Sequence, residues 1–566
     1  MFFQYLSVYI FCFLSVLILI FSGRAINFTF LKFNNNTIED GLLGIIFLSF
    51  IALLINFFSS LNSYLNTFVL LFLLYPLFFC SIKEIKKILK SSLIISLIGF
   101  VTFILDSSNR PDAGLYHLPY ISMLNESKIV IGSVNLHFRF GHISILQYLS
   151  AIFNNNLFDE NGILIPVTIL YSFVLCFFTQ EVFKRKNEKF IRFFSALICL
   201  WILVSMNRYS GFGNDDPTHF FYFITIFYLL KKNILEDDTK KFNKVLIFSL
   251  YTYMLKQFFI LACFYPIYFL IKKYKKIKFN NLVSFFCCIF FLLWIGKNIL
   301  VSSCGFYPVK ITCFEGLKWY PHETLASPEN ASISGEAWAK GFGDRANKNI
   351  STKQFISNLD WTGVWFETHF QYILKKISLI FSIFFIIGTI LLNTKRLTRP
   401  NFPIYDVAFL IGINFLFILI WFFKFPIYRY GAGYIAIFFI LSFIYLFKHR
   451  YENLRFKAKF SNLIFCIIFI SLIGVILKNT LRISKRLNNN YTNYPWPIKN
   501  SFDSKDNKKN SNIAITKNGK IIYYMPYPDI LCMYSKSPCT HFGVRVKKNK
   551  IFNYYEVYYS QKKKIN

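Results

Sequence analysis

The feature that most limits how this chain can fold is the recurrence of apolar blocks, each about 15 to 23 residues long and closed by a short run of lysines. At a rise of 1.5 Å per residue, such a block makes an α-helix long enough to cross a hydrocarbon core of roughly 30 Å. Of the 566 residues, 55% are hydrophobic and 20% aromatic, so nearly every block is apolar on all sides. A transmembrane β-barrel would instead alternate apolar and polar residues in runs of about ten. The expected fold is therefore all-α, a polytopic integral membrane protein.

The formal net charge is +35. In a soluble chain this would suggest nucleic acid, but here the lysines stand at the ends of apolar blocks, where they anchor topology and meet anionic headgroups. Membrane lipids are thus expected partners, and nucleic acid is excluded.

Placing the basic clusters Lys83 to Lys90, Lys184 to Lys189, Lys231 to Lys244, Lys272 to Lys278, Lys395 to Arg399 and Lys448 to Lys459 inside orders the chain. Spans are expected near 41–58, 64–80, 91–105, 161–182, 190–206, 217–230, 282–303, 374–392, 404–423, 434–447 and 461–478. The run 6–22 lacks a basic segment before it and reads as an uncleaved anchor. The stretch 243–271 must leave and return, with Lys256 and Gln257 at its turn, which brings the total to about 14 helices.

This gives an organisation of N-terminal membrane helices 1–105, a first large loop 106–160, central helices 161–303, a second large loop 304–373, C-terminal helices 374–478 and a tail 479–566. The segments 106–160, 207–216, 304–373, 424–433 and the tail from 479 then lie on one face, the extracytoplasmic one. Eight of the 12 cysteines sit in or beside apolar spans. The other four form two local pairs on that oxidising face, Cys304 with Cys313 and Cys532 with Cys539, either disulfides or free thiols.

The loop 106–160 carries "PDAGLYHLP" and "NLHFRFGHIS", and its spacing near 143–153 is helical, which suggests short interfacial helices near the headgroups. Asp112 reads either as a general base for a substrate hydroxyl or as a turn residue after Pro111. His117 reads either as its orienting partner or phosphate ligand, or as a locally bonded histidine. His137, Arg139 and His142 follow in the same loop.

Asp215 and Asp216 precede Pro217 in the next loop. They suit a divalent cation, with His219 or Asp112 as third ligand, or a helix cap. No cofactor is otherwise indicated. Lys256 lies mid-way along an apolar stretch, where a lysine at the bilayer centre costs about 2.5 to 3.5 kcal/mol. It either reaches headgroups or meets an anion such as a lipid phosphate. Arg429 in "KFPIYRYGAGY" stands in an equivalent turn and can clamp phosphate through two N–H groups.

Taken together, an acid in the first large loop, an acidic pair one loop later, a lysine in a later apolar hairpin and an arginine in a late turn resemble the GT-C class. These are multi-pass glycosyltransferases that use polyprenyl-phosphate-linked sugars. More narrowly, "PDAGLYHLP", "NLHFRFGHIS", "GFYP", "WAKGFGD", "FPIYRY" and "CMYSKSPCTHF" resemble a little-characterised bacterial family of integral membrane proteins met among surface-polysaccharide genes.

The resemblance implies transfer of a sugar from a polyprenyl-phosphate carrier to a glycan or lipid acceptor at the periplasmic face of the inner membrane. Asp112 with His117 would be catalytic, and Tyr116, Arg139, Asp215, Asp216, Lys256 and Arg429 would bind substrate or phosphate. A polysaccharide polymerase or ligase would use His117, His137, Arg139 and His142 instead. A transporter of lipid-linked saccharides should show internal repeats, and none of 20 to 50 residues is present.

Overall fold

The computed structural model describes residues 2–33, 36–105, 112–184, 188–205, 213–231, 237–277, 281–322, 324–343, 350–394, 402–451, 457–487, 513–517, 520–527, 531–551 and 554–560. Eight helices among these are long and apolar enough to cross a membrane. They are Phe3–Leu31, Thr37–Phe58, Asp159–Phe183, Leu282–Ser302, Trp361–Leu392, Ile404–Lys424, Tyr428–Leu446 and Asn462–Leu487.

Length and composition do not confirm about 14 spans. The helices Lys189–Ser205, Asp215–Leu230 and Phe264–Lys273 have 17, 16 and 10 residues. Ile82–Phe103 spends its first half on Lys83, Glu84, Lys86, Lys87 and Lys90, and Asp238–Leu255 begins with Asp238, Lys240, Lys241 and Lys244. The expected break at Lys256 is present: the helix Asp238–Leu255 ends there and a 3₁₀ turn, Gln257–Cys263, leads into Phe264–Lys273.

Small residues set the closest helix crossing. A Cβ on Gly23 would stand 1.7 Å from the Asp40 carbonyl oxygen, and one on Gly44 would stand 1.8 Å from that of Leu19, so the helices Phe2–Ile26 and Thr37–Phe58 touch backbone to backbone. Near the start of the second helix Asp40 pairs with Arg24 at 3.2 Å, and the buried Glu39 accepts from the Tyr228 hydroxyl at 2.5 Å and faces Lys244 at 3.5 Å. Glu181 takes Lys184 and Lys231 at 3.1 and 3.0 Å. Buried charges at this end of the bundle are thus paired among themselves, as a low-dielectric interior requires.

The first large loop does not lie on the lipid surface as expected. Its helices Leu118–Glu126 and Ile145–Ile152 are buried in protein, the first over Leu118–Asn125 and the second throughout. Ile145–Ile152 packs on the helix Thr37–Phe58, and the rest of the loop is covered in part by the tail, which departs from the all-α expectation with two antiparallel hairpins. In the first, β1 (Ile513–Lys517) pairs with β2 (Lys520–Met525), and in the second, β3 (Val546–Ile551) pairs with β4 (Tyr555–Ser560).

Tyr558 N–H donates to Ile131 O and Ile131 N–H to Glu556 O, both at 2.9 Å, while Tyr554 and Tyr555 hydroxyls donate to Phe58 O and Phe57 O at 2.6 and 2.9 Å. Both cysteine pairs form disulfides, Cys304–Cys313 and Cys532–Cys539. The second large loop carries a 12-residue helix, Pro328–Ala339. Its final helix starts at Trp361, earlier than the expected 374.

Candidate functional site

Four charged residues named from sequence meet at the end of the bundle nearest the loop 112–160. Asn214 Nδ2–H donates to Leu255 O at 2.9 Å, which ties the start of the helix Asp215–Leu230 to the end of Asp238–Leu255. Asp215, in the first turn of one helix, and Lys256, just past the other, are therefore neighbours, and Lys256 Nζ pairs with Asp215 Oδ1. Arg429 enters from the first turn of Tyr428–Leu446, with Nε 3.7 Å from Asp215 Oδ2 and Nη1 3.6 Å from Asp112 Oδ2.

The arginine's backbone is held as firmly as its side chain. His219 Nε2–H donates to Arg429 O at 2.9 Å, and Gly433 leaves the room, since a Cβ there would lie 2.7 Å from His219 Nδ1. Trp365 Nε1–H donates to Pro426 O at 2.6 Å, fixing the preceding turn.

Lys256, read as reaching headgroups or meeting an anion, has a carboxylate beside it. Its side chain is 12% exposed and that of Asp215 is 7%, so inside the protein the nearest compensating charge is Asp215. Lys256 also lies 3.3 Å from the centre of the Tyr430 ring. Asp216 departs from the expected pair: one residue on, it points elsewhere, with Lys478 among its electrostatic neighbours. Asp112 differs from Asp215 in being 42% exposed.

Arg139 is the cation left over. It is half-buried, and among the described residues it has no carboxylate partner. Its guanidinium stands 4.9 Å from the centre of the Phe138 ring and 5.7 Å from that of Trp338. Trp338 in turn lies 5.5 Å from the Arg429 guanidinium, so one indole faces both arginines. Lys256 and Arg429 thus share the two carboxylates Asp112 and Asp215, and Arg139 stands beside them without one.

Tyr116 packs its ring 4.3 Å from that of His117 and 6.0 Å from that of His137. Burial, with Asp112 nearby, raises its phenol above the ordinary range. His117 is fixed by Gln147, whose Nε2–H donates to Nδ1 at 2.8 Å, and among the described residues it makes no hydrogen bond to Asp112. His137 Nδ1 accepts the Arg139 backbone N–H at 3.1 Å. Burial pushes His117 down to about 4 and His137 and His142 to about 3, so all three are neutral near pH 7.

Behind Asp112 the tail closes in. Met533 N–H donates to Gly114 O at 3.0 Å, and a Cβ on Gly114 would lie 2.4 Å from Met533 Sδ. The disulfide Cys532–Cys539 brackets this contact, and Thr540 Oγ–H donates to Leu136 O at 2.8 Å.

For a divalent cation the donors are wrong. Among the described residues no three His, Cys, Asp or Glu side chains gather around one point, Asp215 is taken by two cations, and His219 by a carbonyl. Sequence reasoning passed over Trp338, Tyr430 and Gln147 as site residues. Trp338 and Tyr430 sit inside "WAKGFGD" and "FPIYRY", so their signal was available. Gln147 had none, because its partner is 30 residues away.

Neither the curated proteins nor the solved structures include a match to this chain. A family model described as a domain of unknown function, DUF8201, matches residues 5–436, a stretch that holds Asp112, Arg139, Asp215, Lys256, Trp338 and Arg429. The chain belongs to the DUF8201 family.

Proposed function

We propose that this protein is a membrane glycosyltransferase of GT-C type, moving a sugar from a polyprenyl-phosphate carrier to an acceptor on the periplasmic face during surface-glycan assembly. The observation that carries the reading is Arg139. A half-buried guanidinium without a carboxylate, set between aromatic faces beside a second arginine, is a site for an anion that the chain does not itself supply. Its position at the end of the bundle, beside apolar helices, suits an anion attached to a lipid.

In this reading the carrier phosphate lies on Arg139 and the outer edge of Arg429. The partly exposed Asp112 accepts the proton of an acceptor hydroxyl as that oxygen bonds to the anomeric carbon. The bond from that carbon to the phosphate oxygen breaks, and its electron pair leaves with the phosphate, where Arg139 and Arg429 stabilise the added charge. Lys256 and Asp215 hold Arg429 in place. His117, neutral and fixed by Gln147, shapes the wall behind Tyr116. In this reading some of the shorter helices cross the bilayer in pairs and the chain lies in a bacterial inner membrane.

The test is binding of undecaprenyl phosphate to the purified protein in nanodiscs, compared with Arg139→Gln. The charge-assisted contact is worth roughly 1.5 to 3 kcal/mol, so Arg139→Gln should weaken binding by about ten- to a hundredfold. Equal binding by both proteins would remove the phosphate from Arg139. Activity retained in full by Asp112→Asn, with loss in Arg139→Gln, would move the reading to a polymerase or ligase, which needs the arginine but not the acid.

A further inference from the structure

Trp338 is an uncommon residue in its setting. It is 44% exposed, near the C-terminal end of the helix Pro328–Ala339, yet the helix beneath it is tied down. Glu336, two residues earlier, pairs with Lys340 at 2.7 Å and with Lys424 at 3.2 Å. Lys424 ends the helix Ile404–Lys424, a few residues before Arg429. Ala331 is buried with Cys304, Tyr307 and Val134.

The indole is therefore positioned from both ends of its helix while leaving much of its own surface open. Its neighbours are two guanidinium groups at 5.7 and 5.5 Å, so a phosphate on Arg139 stands within reach of the indole.

We propose that Trp338 is the platform for the sugar of the donor: a pyranose ring stacks its C–H face on the indole while its phosphate lies on Arg139. This inference rests on the carrier-phosphate reading of Arg139. The chemistry fits both halves of the ligand. The C–H face of a sugar is its apolar surface and gains by leaving water against a large flat ring, whereas the phosphate needs the cation. Glu336 is a positioning residue, holding the indole and the Arg429 turn in one register.

Three proteins would be compared in nanodiscs: the intact chain, Trp338→Ala and Trp338→Phe. The probes are undecaprenyl phosphate alone and the same carrier bearing glucose, galactose or N-acetylglucosamine, measured by native mass spectrometry. The expected result is that the intact chain prefers at least one sugar-bearing carrier, that Trp338→Ala loses about tenfold for that carrier but less than threefold for the bare phosphate, and that Trp338→Phe recovers part of the loss.

Equal loss for bare and sugar-bearing carriers would overturn the proposal, because Trp338 would then act only by holding the arginines. No change in either, or no preference for any sugar by the intact chain, would overturn it too. If the intact chain binds none of the four probes, the phosphate reading itself fails, a result distinct from all of these. The indole is 44% exposed, so Trp338→Ala removes only part of its packing, and an unchanged denaturation midpoint would verify that the fold survives.

Discussion

Replacing Asp215 by asparagine removes one negative charge from beneath two cations. Arg429 Nε stands 3.7 Å from Asp215 Oδ2, which at an effective dielectric constant near 20 corresponds to a gross attraction of about 4.5 kcal/mol. Lys256 pairs with the other oxygen of the same carboxylate and adds a comparable term. Desolvation of the three groups offsets much of this sum. Breaking a buried pair by removing one partner typically costs about 3 to 5 kcal/mol, because the remaining charge is left uncompensated.

Asp215→Asn should therefore destabilise the protein by about 3 to 5 kcal/mol. Asp215→Asn with Lys256→Met should recover about half of that loss, since Arg429 keeps Asp112 as a partner at 3.6 Å. Reversible denaturation in mixed micelles, run as a double-mutant cycle, measures both quantities. A cost under about 1 kcal/mol for Asp215→Asn, with no coupling to Lys256, would refute the paired-charge account.

Replacing Cys532 and Cys539 together by serine should loosen the segment of the tail that packs on the Asp112 loop. For a sequence separation of 7, the entropic contribution of the bridge is about 2 kcal/mol, and faster hydrogen exchange at the Met533 amide, which bonds Gly114 O, would report its loss. Lower pH should weaken the fold around the site. His117 and His137 are neutral when folded and protonate at about 6.5 when unfolded, so their full contribution is present above pH 6.5 and falls as pH drops toward about 4 and 3. The pair should make the protein about 4 kcal/mol less stable at pH 5 than at pH 7.5, by denaturation midpoint, and His117→Gln with His137→Gln should flatten that slope.

Membrane character was legible because a hydrocarbon core imposes a length that any apolar block must meet. The turn at Lys256 was legible for the same reason, since a lysine there has to leave the apolar layer or find a partner. What it finds was not legible. Lys256 and Asp215 are 41 residues apart, and their pairing depends on Asn214 joining two helix ends.

The loop 106–160 was read as interfacial because its apolar spacing fits a lipid surface and a protein surface equally well. Partners far away in sequence decide between them: the helix Thr37–Phe58 packs on Ile145–Ile152, and in the tail Thr540 bonds Leu136 and Tyr558 bonds Ile131. The two cysteine pairs were legible from local spacing alone. Asp215 and Asp216 were indistinguishable in sequence, yet on a helix adjacent positions point about 100° apart: Asp215 faces Lys256 and Arg429, and Asp216 has Lys478 among its electrostatic neighbours.

The most direct test of the central claim is a comparison of lipid-linked saccharides, by mass spectrometry of membrane extracts, between cells carrying the intact protein and cells carrying Asp112→Asn. If Asp112 accepts the proton of the acceptor hydroxyl, one polyprenyl-phosphate sugar accumulates in the variant and the same sugar disappears from a surface glycan. Unchanged lipids and unchanged glycans, with the variant present in the membrane at normal amounts, would contradict a role for Asp112 in transfer.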